Sequence, residues 1–387
     1  MRIIWAFIGF LSVLFLSIPD AQSAASPQNQ ELVRVRLMTI NKKIQLTGMS
    51  LKFQNLAQPF RPVAIPQNGQ AEVRLLEKNG KYFWALRLNN QEREHLFTEK
   101  YLMVQGEDLR VGAQSLPARV LLTPNGNQKV DVIGVVPLDE YIVGVLSSEM
   151  PTSWPMETLK AQAVAIRSYT LAVIEERKDR PYHVESSVMD QVFRHVMGED
   201  ENDAKVKRAI QAVADTQGIR LYGPNEKVLK AFYHADCGGK TTTAKNVWKG
   251  GVDAGVAVDS SCPTGPHAQW NLKMTKEDLK KRLHLVDFTS LALVKAKGDS
   301  RVQSVQVAMT DGTRKMISAN DFRQAMGYQD LRSTSFDIKE EGDQVVFSGR
   351  GFGHGVGLCQ WGSRVLGQRG AKFQEILKHY YPLARLK

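Results

Sequence analysis

Two Asn-Gly dipeptides between apolar runs constrain the first third of the chain most strongly. Asn79-Gly80 precedes the run Lys81–Leu88, and Asn125-Gly126 separates two further apolar runs. An Asn-Gly pair in this setting favours a tight hairpin, because both residues accept the positive φ angles of the turn. Residues 31–136 are therefore predicted to form a β-rich N-terminal region, and they contain no cluster of catalytic side chains.

The pattern changes at Pro137. A short apolar segment follows, and then Pro155 suits the first turn of a helix in which Leu159, Ala163 and Ile166 recur at helical spacing. Further helices are predicted near residues 201–216, 275–283, 358–366 and 373–380, a hairpin over 219–234, and strands between 291 and 347. Strand blocks mixed with helices predict an α+β fold, with residues 137–387 as the catalytic core.

The N-terminus has the layout of a secretory signal peptide. A positive charge at Arg2 precedes the apolar run Ile3–Ile18, and small residues follow over Ala21–Ala25. Residues 1–25 are predicted to be a signal peptide cut near Ala24 or Ala25. A retained N-terminal anchor is the alternative, although the run is short for a membrane span. The expected location is the periplasm, the cell envelope or the extracellular space, with no membrane span after cleavage.

The chain of 387 residues carries a formal net charge of +11, with the basic residues spread along it rather than gathered into blocks. A basic exported protein meets anionic polymers or membrane surfaces. Outside the cytoplasm, anionic cell-wall polymer is the favoured partner, and nucleic acid is not expected.

Glu149 is the first candidate for catalysis. It lies between an apolar segment and the helix that begins near Pro155, with Met150, Pro151 and Trp154 close by in sequence. Apolar neighbours can desolvate a carboxylate and raise its pKa, as a general acid near neutral pH requires. A solvated loop glutamate or a helix cap fits the same local sequence.

A second cluster combines His234 and Cys237 with Cys262 and His267. His-x2-Cys followed by Cys-x4-His has donors for a tetrahedral zinc site, and a Cys237–Cys262 disulfide fits an exported protein equally well. A third interpretation makes His234 a ligand contact beside a glycine turn. Cys359 is predicted to stay apart from the cysteine pair.

The third cluster is the glycine-rich loop Gly349–Gly362. Its alternating glycines permit close approach of the backbone to a ligand, and His354, Gln360 and Trp361 could supply polar and stacking contacts to a sugar. No βαβ unit surrounds the loop, so a dinucleotide site is not indicated. A purely structural turn is the alternative.

Together, these segments resemble the SpoIID/LytB family. The resemblance rests on motifs that run in the same order from about residue 130 to the end: Leu138–Val145, Glu149-Met150-Pro151, Leu159–Tyr169, Tyr233–Thr241, Gly349–Gly362 and His379–Pro382. Asp190–Phe193 matches a further family stretch only loosely, since the spacing is shorter and phenylalanine stands where tyrosine is usual.

The resemblance implies a lytic transglycosylase that cuts the linkage between N-acetylmuramic acid and N-acetylglucosamine in glycan strands stripped of stem peptides. It implies Glu149 as the acid/base and no required cofactor, although some members carry zinc near the Cys-Gly-Gly segment. The alternative function is a non-catalytic peptidoglycan binder that enhances a cell-wall amidase. A zinc amidase or peptidase using His234 and His267 is less favoured, because no His-Glu-x-x-His motif occurs.

The substrate groove is predicted to bring all three clusters together. Lys160, Arg167 and Tyr169, on the helix behind Glu149, are candidates for its lining; structural pairing is their alternative role. The other predicted substrate contacts are His234, His354, Gln360 and Trp361. A polysaccharide needs an open cleft of this kind, so Glu149 and His354 are expected to open onto one face.

Overall fold

The computed structural model describes residues 31–387, apart from 56–61, 66, 90, 127, 188–189, 197–202, 249–250, 260–264 and 296–297. The signal-peptide prediction lies outside this part of the chain. Within the described ranges, no helix is both long enough and apolar enough to cross a bilayer. Helices and strands are mixed as expected, so the α+β prediction is confirmed.

A twisted, mainly antiparallel sheet occupies the first third of the described chain. Its strands are β1 (Leu32–Asn41), β2 (Lys43–Asn55), β3 (Val63–Ala64), β4 (Gly69–Lys78), β5 (Lys81–Leu88), β6 (Glu94–Phe97), β7 (Leu102–Val111), β8 (Gln114–Ser115), β9 (Arg119–Pro124), β10 (Lys129–Pro137) and β11 (Val184–Glu185). Their order is β11-β1-β10-β9-β7-β2-β4-β5-β6, with β3 on β2 and β8 on β7.

Both predicted hairpins are confirmed. Asn79 and Gly80 turn β4 into β5 with φ angles of 53° and 70°, and Gly126 lies between β9 and β10 with a φ of 61°. Inward-facing side chains alternate along the paired strands, and Trp84 is fully buried among them. The sheet also pairs β1 with β11, which lies beyond residue 137. The domain boundary at residue 137 stays a prediction.

Three helices follow the sheet and carry the site: α1 (Leu138–Glu149), α2 (Met156–Glu176) and α3 (Ala204–Ala214). The segment after Pro137 was expected to be merely apolar, and it is a helix whose residues from Tyr141 to Leu146 are all buried. An apolar run buried on every side has no helical periodicity, which is why the pattern did not identify it. Helix α2 begins where the sequence predicted, with Pro155 at the N-cap position immediately before the first helical residue.

Short elements β12 (Leu221–Tyr222), β13 (Tyr233–His234) and α4 (Ala244–Val247) come next. A separate core then forms from β14 (Trp270–Thr275), α5 (Lys276–Arg282), β15 (Phe288–Lys295), β16 (Val302–Met309), β17 (Arg314–Ser318), α6 (Ala319–Met326), β18 (Phe336–Glu341) and β19 (Gln344–Gly349). These eight elements are called the inserted module. The helix predicted near 275–283 is α5, and the Thr275 hydroxyl caps it by accepting from the Asp278 N–H.

The chain closes with β20 (Leu358–Cys359), α7 (Gln360–Gln368), α8 (Phe373–Tyr380) and β21 (Arg385–Leu386). The hairpin predicted over residues 219–234 forms only around its turn, where an antiparallel bridge joins Tyr222 to Val228 and the Leu229 N–H donates to the Leu221 carbonyl; β12 pairs instead with β21. β13 pairs in parallel with β20, which places His234 opposite Cys359 in the ladder. The inserted module therefore lies, in the sequence, between two strands that pair with each other in the fold.

Candidate active site

Glu149 is the last residue of α1 and is half-buried. Its Oε1 accepts a hydrogen bond from the Val192 N–H at 3.0 Å. The last carbonyl oxygens of α1 lie near this position and form the negative end of the helix dipole. This end of the dipole disfavours an ionised carboxylate. The fold thus places an acidic side chain where its ionised form gains little electrostatic stabilisation.

Burial raises the pKa of Glu149 above its ordinary value, and the hydrogen bond from Val192 opposes this only in part. Desolvation favours the neutral acid, whereas a backbone donor favours the carboxylate. The direction is that required of a group that must donate a proton near neutral pH.

Gly144 explains how the Val192 segment reaches α1. A β-carbon at this position would meet the Arg194 carbonyl oxygen and would lie 2.6 Å from the Phe193 ring. The Phe193 ring also stacks on Tyr141, with centroids 5.2 Å apart. The absence of a side chain at Gly144 therefore lets the segment pack directly on the helix and deliver the Val192 N–H to Glu149.

Gln191 holds the same segment from its other side. Its Oε1 accepts from the hydroxyls of Tyr141 and Thr170, both at 3.0 Å, and its Nε2 donates to the Tyr233 hydroxyl at 3.0 Å. These bonds tie α1, α2 and β13 to one buried amide. Both tyrosines lie near enough to Glu149 for its charge to raise their pKa values further, although burial is the larger cause.

Asp190 is the nearby carboxylate, and it is fully engaged. Its oxygens accept two bonds from Arg177, at 2.7 and 3.0 Å, one from the Glu185 N–H at 2.9 Å and one from the Tyr169 hydroxyl at 3.3 Å. A bidentate arginine pair with further donors fixes the position of the carboxylate. Asp190 therefore braces the segment that carries Val192.

Aromatic contacts join the three sequence clusters. Trp154, next to the Glu149 segment, packs edge-on against Trp361 with centroids 5.1 Å apart. Phe232 contacts Tyr169 at 5.6 Å and His354 at 5.9 Å. The structure thus brings the Glu149 segment, the His234 segment and the glycine-rich loop into contact. That Glu149 and His354 open onto one cleft stays a prediction.

The predicted groove role of Arg167 is wrong, because its side chain is buried in the protein. Its guanidinium donates to the carbonyls of Val213, Thr216 and Ile219, at 3.3, 2.7 and 3.3 Å. It therefore caps the C-terminal end of α3, the structural alternative that the sequence left open.

The remaining predicted contacts differ in exposure. Lys160 forms ion pairs with Glu157 and Asp215, at 3.4 and 2.9 Å. His234, Gln360 and Tyr169 are all buried, with 5%, 6% and 6% of their surface exposed. His354 and Trp361 are half-buried. Substrate binding by these side chains stays a prediction.

The cysteines are arranged differently from the expectation. The Cys237 N–H donates to the Cys359 Sγ at 3.2 Å, so the prediction that Cys359 stays apart is wrong. The parallel pairing of β13 with β20 is the cause, and single-sequence patterns do not reveal such a long-range pairing. Cys262 lies outside the described residues. His267 packs edge-on against Phe352, with ring centroids 5.0 Å apart.

Sequence reasoning missed most of the residues that surround Glu149. Tyr141 was hidden in a segment not recognised as a helix, and Tyr233 was quoted only as part of a motif. The loose match over Asp190–Phe193 was the available signal for Gln191 and Val192. No sequence pattern pointed to Arg177, because its role depends on the pairing with Asp190.

Comparison with known proteins bears on this geometry. The family model described as "Stage II sporulation protein" matches residues 126–222, which include Glu149 and the Asp190–Phe193 segment. Stage II sporulation protein D of Bacillus subtilis is 30% identical over 289 residues, covering 70% of this chain and 80% of the relative. The chain belongs to the SpoIID/LytB family.

Three further similarities cover smaller parts of this SpoIID/LytB chain. The amidase enhancer of Bacillus subtilis is 25% identical over 291 residues, covering 62% of this chain and 39% of the relative. An uncharacterised protein of Brachyspira hyodysenteriae is 29% identical over 261 residues, covering 66% of this chain and 68% of the relative. A model for a domain of unknown function matches residues 266–357, which contain the inserted module.

Proposed function

We propose that this SpoIID/LytB protein is an exported lytic transglycosylase that cleaves peptidoglycan glycan strands with Glu149 as its single acid/base. The observation that carries the proposal is the environment of Glu149: half-buried, at the C-terminal end of α1, with the Val192 N–H as its hydrogen-bond donor and a raised pKa. This environment supports a carboxyl group that exchanges a proton.

The engagement of Asp190 favours a transglycosylase over a two-carboxylate hydrolase. A hydrolase needs a second carboxylate to activate water or to form a glycosyl-enzyme. Asp190 is committed to Arg177, Tyr169 and the Glu185 N–H, so both of its oxygens are occupied. With Asp190 committed in this way, Glu149 fits a reaction in which the substrate supplies its own nucleophile.

In this reaction the neutral Glu149 donates its proton to the oxygen between N-acetylmuramic acid and N-acetylglucosamine. The bond from C1 of the muramic residue to that oxygen breaks, and its N-acetyl group stabilises the cationic centre. The ionised Glu149 then takes the proton of the C6 hydroxyl as that oxygen bonds to C1. The product is a 1,6-anhydro ring, Glu149 regains its proton, and the reaction requires neither water nor a cofactor.

We take the preferred substrate to be a glycan strand stripped of stem peptides, as the family resemblance implies. Trp154 and Trp361 form an aromatic pair beside the Glu149 segment, and Arg364 lies over the Trp361 ring at 4.8 Å. The half-buried Trp361 keeps part of its aromatic surface accessible to a sugar ring, and the net charge of +11 suits an anionic wall polymer.

The test is digestion of purified peptidoglycan by the mature protein, using intact sacculi and glycan strands freed of peptides. The proposal expects muropeptides or disaccharides with anhydromuramic ends, and more of them from the stripped strands. Glu149→Gln is the matched control, since it keeps the shape of the side chain and removes the ionisable proton. Anhydro products from a folded Glu149→Gln protein would overturn the assignment.

The second candidate function is enhancement of a cell-wall amidase, which the similarity to a relative named amidase enhancer favours. In that case the protein binds the wall without cutting glycan. A mixture with an amidase would then release stem peptides faster, and Glu149→Gln would enhance the amidase as well as the wild type does. Loss of enhancement in Glu149→Gln would argue for cleavage as the active step.

A further inference from the structure

Arg364, on helix α7, places a positive charge beside the Glu149 segment. Its guanidinium lies 4.8 Å from the centre of the Trp361 ring and 5.4 Å from that of Trp154. Within the described part of the chain, no carboxylate forms an ion pair with it. Lys160, on the neighbouring helix α2, is by contrast paired with two carboxylates. The fold therefore leaves the charge of Arg364 available to a ligand.

The aromatic contacts hold this guanidinium without using its hydrogen-bond donors. A cation over an aromatic face is attracted by the electrons of the ring, and all five N–H groups of an arginine stay available in such a contact. The Arg364 side chain is half-buried, so part of it reaches solvent. Because the planar fork of N–H groups matches the two oxygens of a carboxylate, a carboxylate is the ligand that it suits best.

The two tryptophans that carry the guanidinium are fixed by backbone hydrogen bonds. Arg208 donates to the carbonyls of Thr152 and Trp154, at 2.7 and 2.8 Å. The Trp361 N–H donates to the Ala235 carbonyl at 3.0 Å. The platform under Arg364 is therefore built before any ligand arrives, which lowers the entropic cost of binding.

Helix α7 is held just as closely against the start of α2. The Thr158 hydroxyl donates to the Ser363 carbonyl at 3.0 Å, and a β-carbon on Gly367 would lie 2.4 Å from the oxygen of that hydroxyl. Only glycine allows the two helices to approach in this way. The backbone on both sides of Arg364 is thus positioned by contact with α2.

One buried cluster connects the arginine to the proposed acid. Met150, which directly follows Glu149, belongs to the same cluster as Trp154, and Trp361 packs against it. A ligand that contacts Arg364 therefore lies beside the segment that carries Glu149.

The substrate of the proposed function contains one group with the shape and charge that Arg364 suits. N-acetylmuramic acid carries a lactyl group, whose carboxyl is bound to the stem peptide as an amide in the intact wall. In a stripped strand it is a free carboxylate, and N-acetylglucosamine has no such group.

We propose that Arg364 binds the lactyl carboxylate of a muramic residue and thereby selects stripped strands over peptide-bearing ones. The inference rests on the proposed function for the identity of the substrate, but it concerns binding and not cleavage.

The test is calorimetric binding to the mature Glu149→Gln protein, which does not cut the strand during the titration. Three probes are compared: short stripped glycan strands, the same strands with their lactyl carboxylates converted to methyl amides, and chitin oligosaccharides, which lack the lactyl group. Adding Arg364→Gln is expected to weaken binding of the free-carboxylate strands about tenfold and to leave the other two probes unchanged.

Arg369→Gln is the matched control, since it removes an equal charge from an exposed position at the end of the same helix. It is expected to change none of the three affinities. Equal weakening of all three probes by Arg364→Gln would show that the arginine only supports the tryptophans, and unchanged binding would show that it contacts no carboxylate. Either result would overturn the proposal.

A second measurement leaves Arg364 in place, because a variant that does not fold gives no binding reading. The protein is expected to prefer free-carboxylate strands over amide-capped strands about tenfold at low salt, and the preference should shrink as sodium chloride is added. No preference at low salt would overturn the assignment. Anhydro products without this preference would remove the role of Arg364 alone, whereas the preference without anhydro products would contradict the proposed function alone.

Discussion

Two carboxylates in the same region of the molecule have opposite environments. Glu149 ends α1 with the Val192 N–H as its hydrogen-bond donor, and burial raises its pKa. Asp190 accepts four bonds, two of them from Arg177. A carboxylate whose two oxygens accept several hydrogen bonds holds its segment in place. A carboxylate with a single donor is better placed to gain and lose a proton. The segment from Asp190 to Phe193 links the two, since it fixes one and delivers the donor to the other.

The largest expected effect of this contrast is on Glu149→Gln. Loss of a general acid typically costs about 10²–10⁴-fold in rate. The fold should be unharmed at neutral pH, because the glutamine oxygen can still accept from Val192 and no buried charge remains. Turnover of stripped glycan and thermal unfolding check both parts. A variant that loses stability as well as activity would contradict the contrast.

Asp190→Asn should do the reverse. It leaves Arg177 with a neutral partner and replaces an acceptor with a donor, so the free energy of unfolding should fall by about 2–3 kcal/mol. Activity per folded molecule should fall less than in Glu149→Gln, because the proton-bearing group remains. Denaturant unfolding and active-site-normalised rates measure the two effects. If Asp190→Asn abolishes cleavage without loss of stability, Asp190 takes part in the chemistry.

Gly144→Ala tests the link between the two carboxylates. In an open helix this change would stabilise by about 1 kcal/mol, but here the new methyl group meets the Arg194 carbonyl and the Phe193 ring. We expect destabilisation by about 1–2 kcal/mol and a roughly tenfold lower rate, as the Val192 donor moves away. Ser148→Ala, at an exposed position of α1, is the control and should be nearly neutral.

The effect that is smallest at neutral pH concerns His183, which stabilises the same region as a neutral ring. Its Nδ1 accepts from the Arg34 N–H at 3.1 Å, and burial lowers its pKa to about 4. An unfolded histidine titrates near about 6.5, so protonation favours the unfolded chain as the pH falls from about 6.5 towards 4. His183→Asn should flatten this part of the stability profile. An unchanged slope would show that other groups cause it.

Local signals in the sequence predicted the elements that local chemistry determines. The Asn-Gly turns, the proline at the start of α2 and the helix near residues 275–283 were all recognisable, because each depends on neighbours in the chain. Glu149 was identified by motif, but its donor was not, since Val192 reaches it only through packing on Gly144. Arg167 was misassigned because a charged residue on a helix gives no sign of the carbonyls that bury it.

In the C-terminal part, pairing between strands that are far apart in sequence limited what could be predicted. The parallel alignment of β13 with β20 places Cys359 beside Cys237, although the inserted module lies between them. Spacing between cysteines suggested Cys262 instead, because sequence distance was the available guide. Chain topology rather than spacing therefore determines which donors meet.

The central claim is that Glu149 drives an intramolecular ring closure rather than hydrolysis, and digestion of stripped glycan strands in water enriched in ¹⁸O tests it most directly. A transglycosylase forms the anhydro end from the C6 oxygen of the sugar itself. Mass spectrometry should therefore find products one water lighter than reducing sugars and free of ¹⁸O, and none with Glu149→Gln. Reducing-end products that carry one ¹⁸O atom would show water as the nucleophile and would contradict the account.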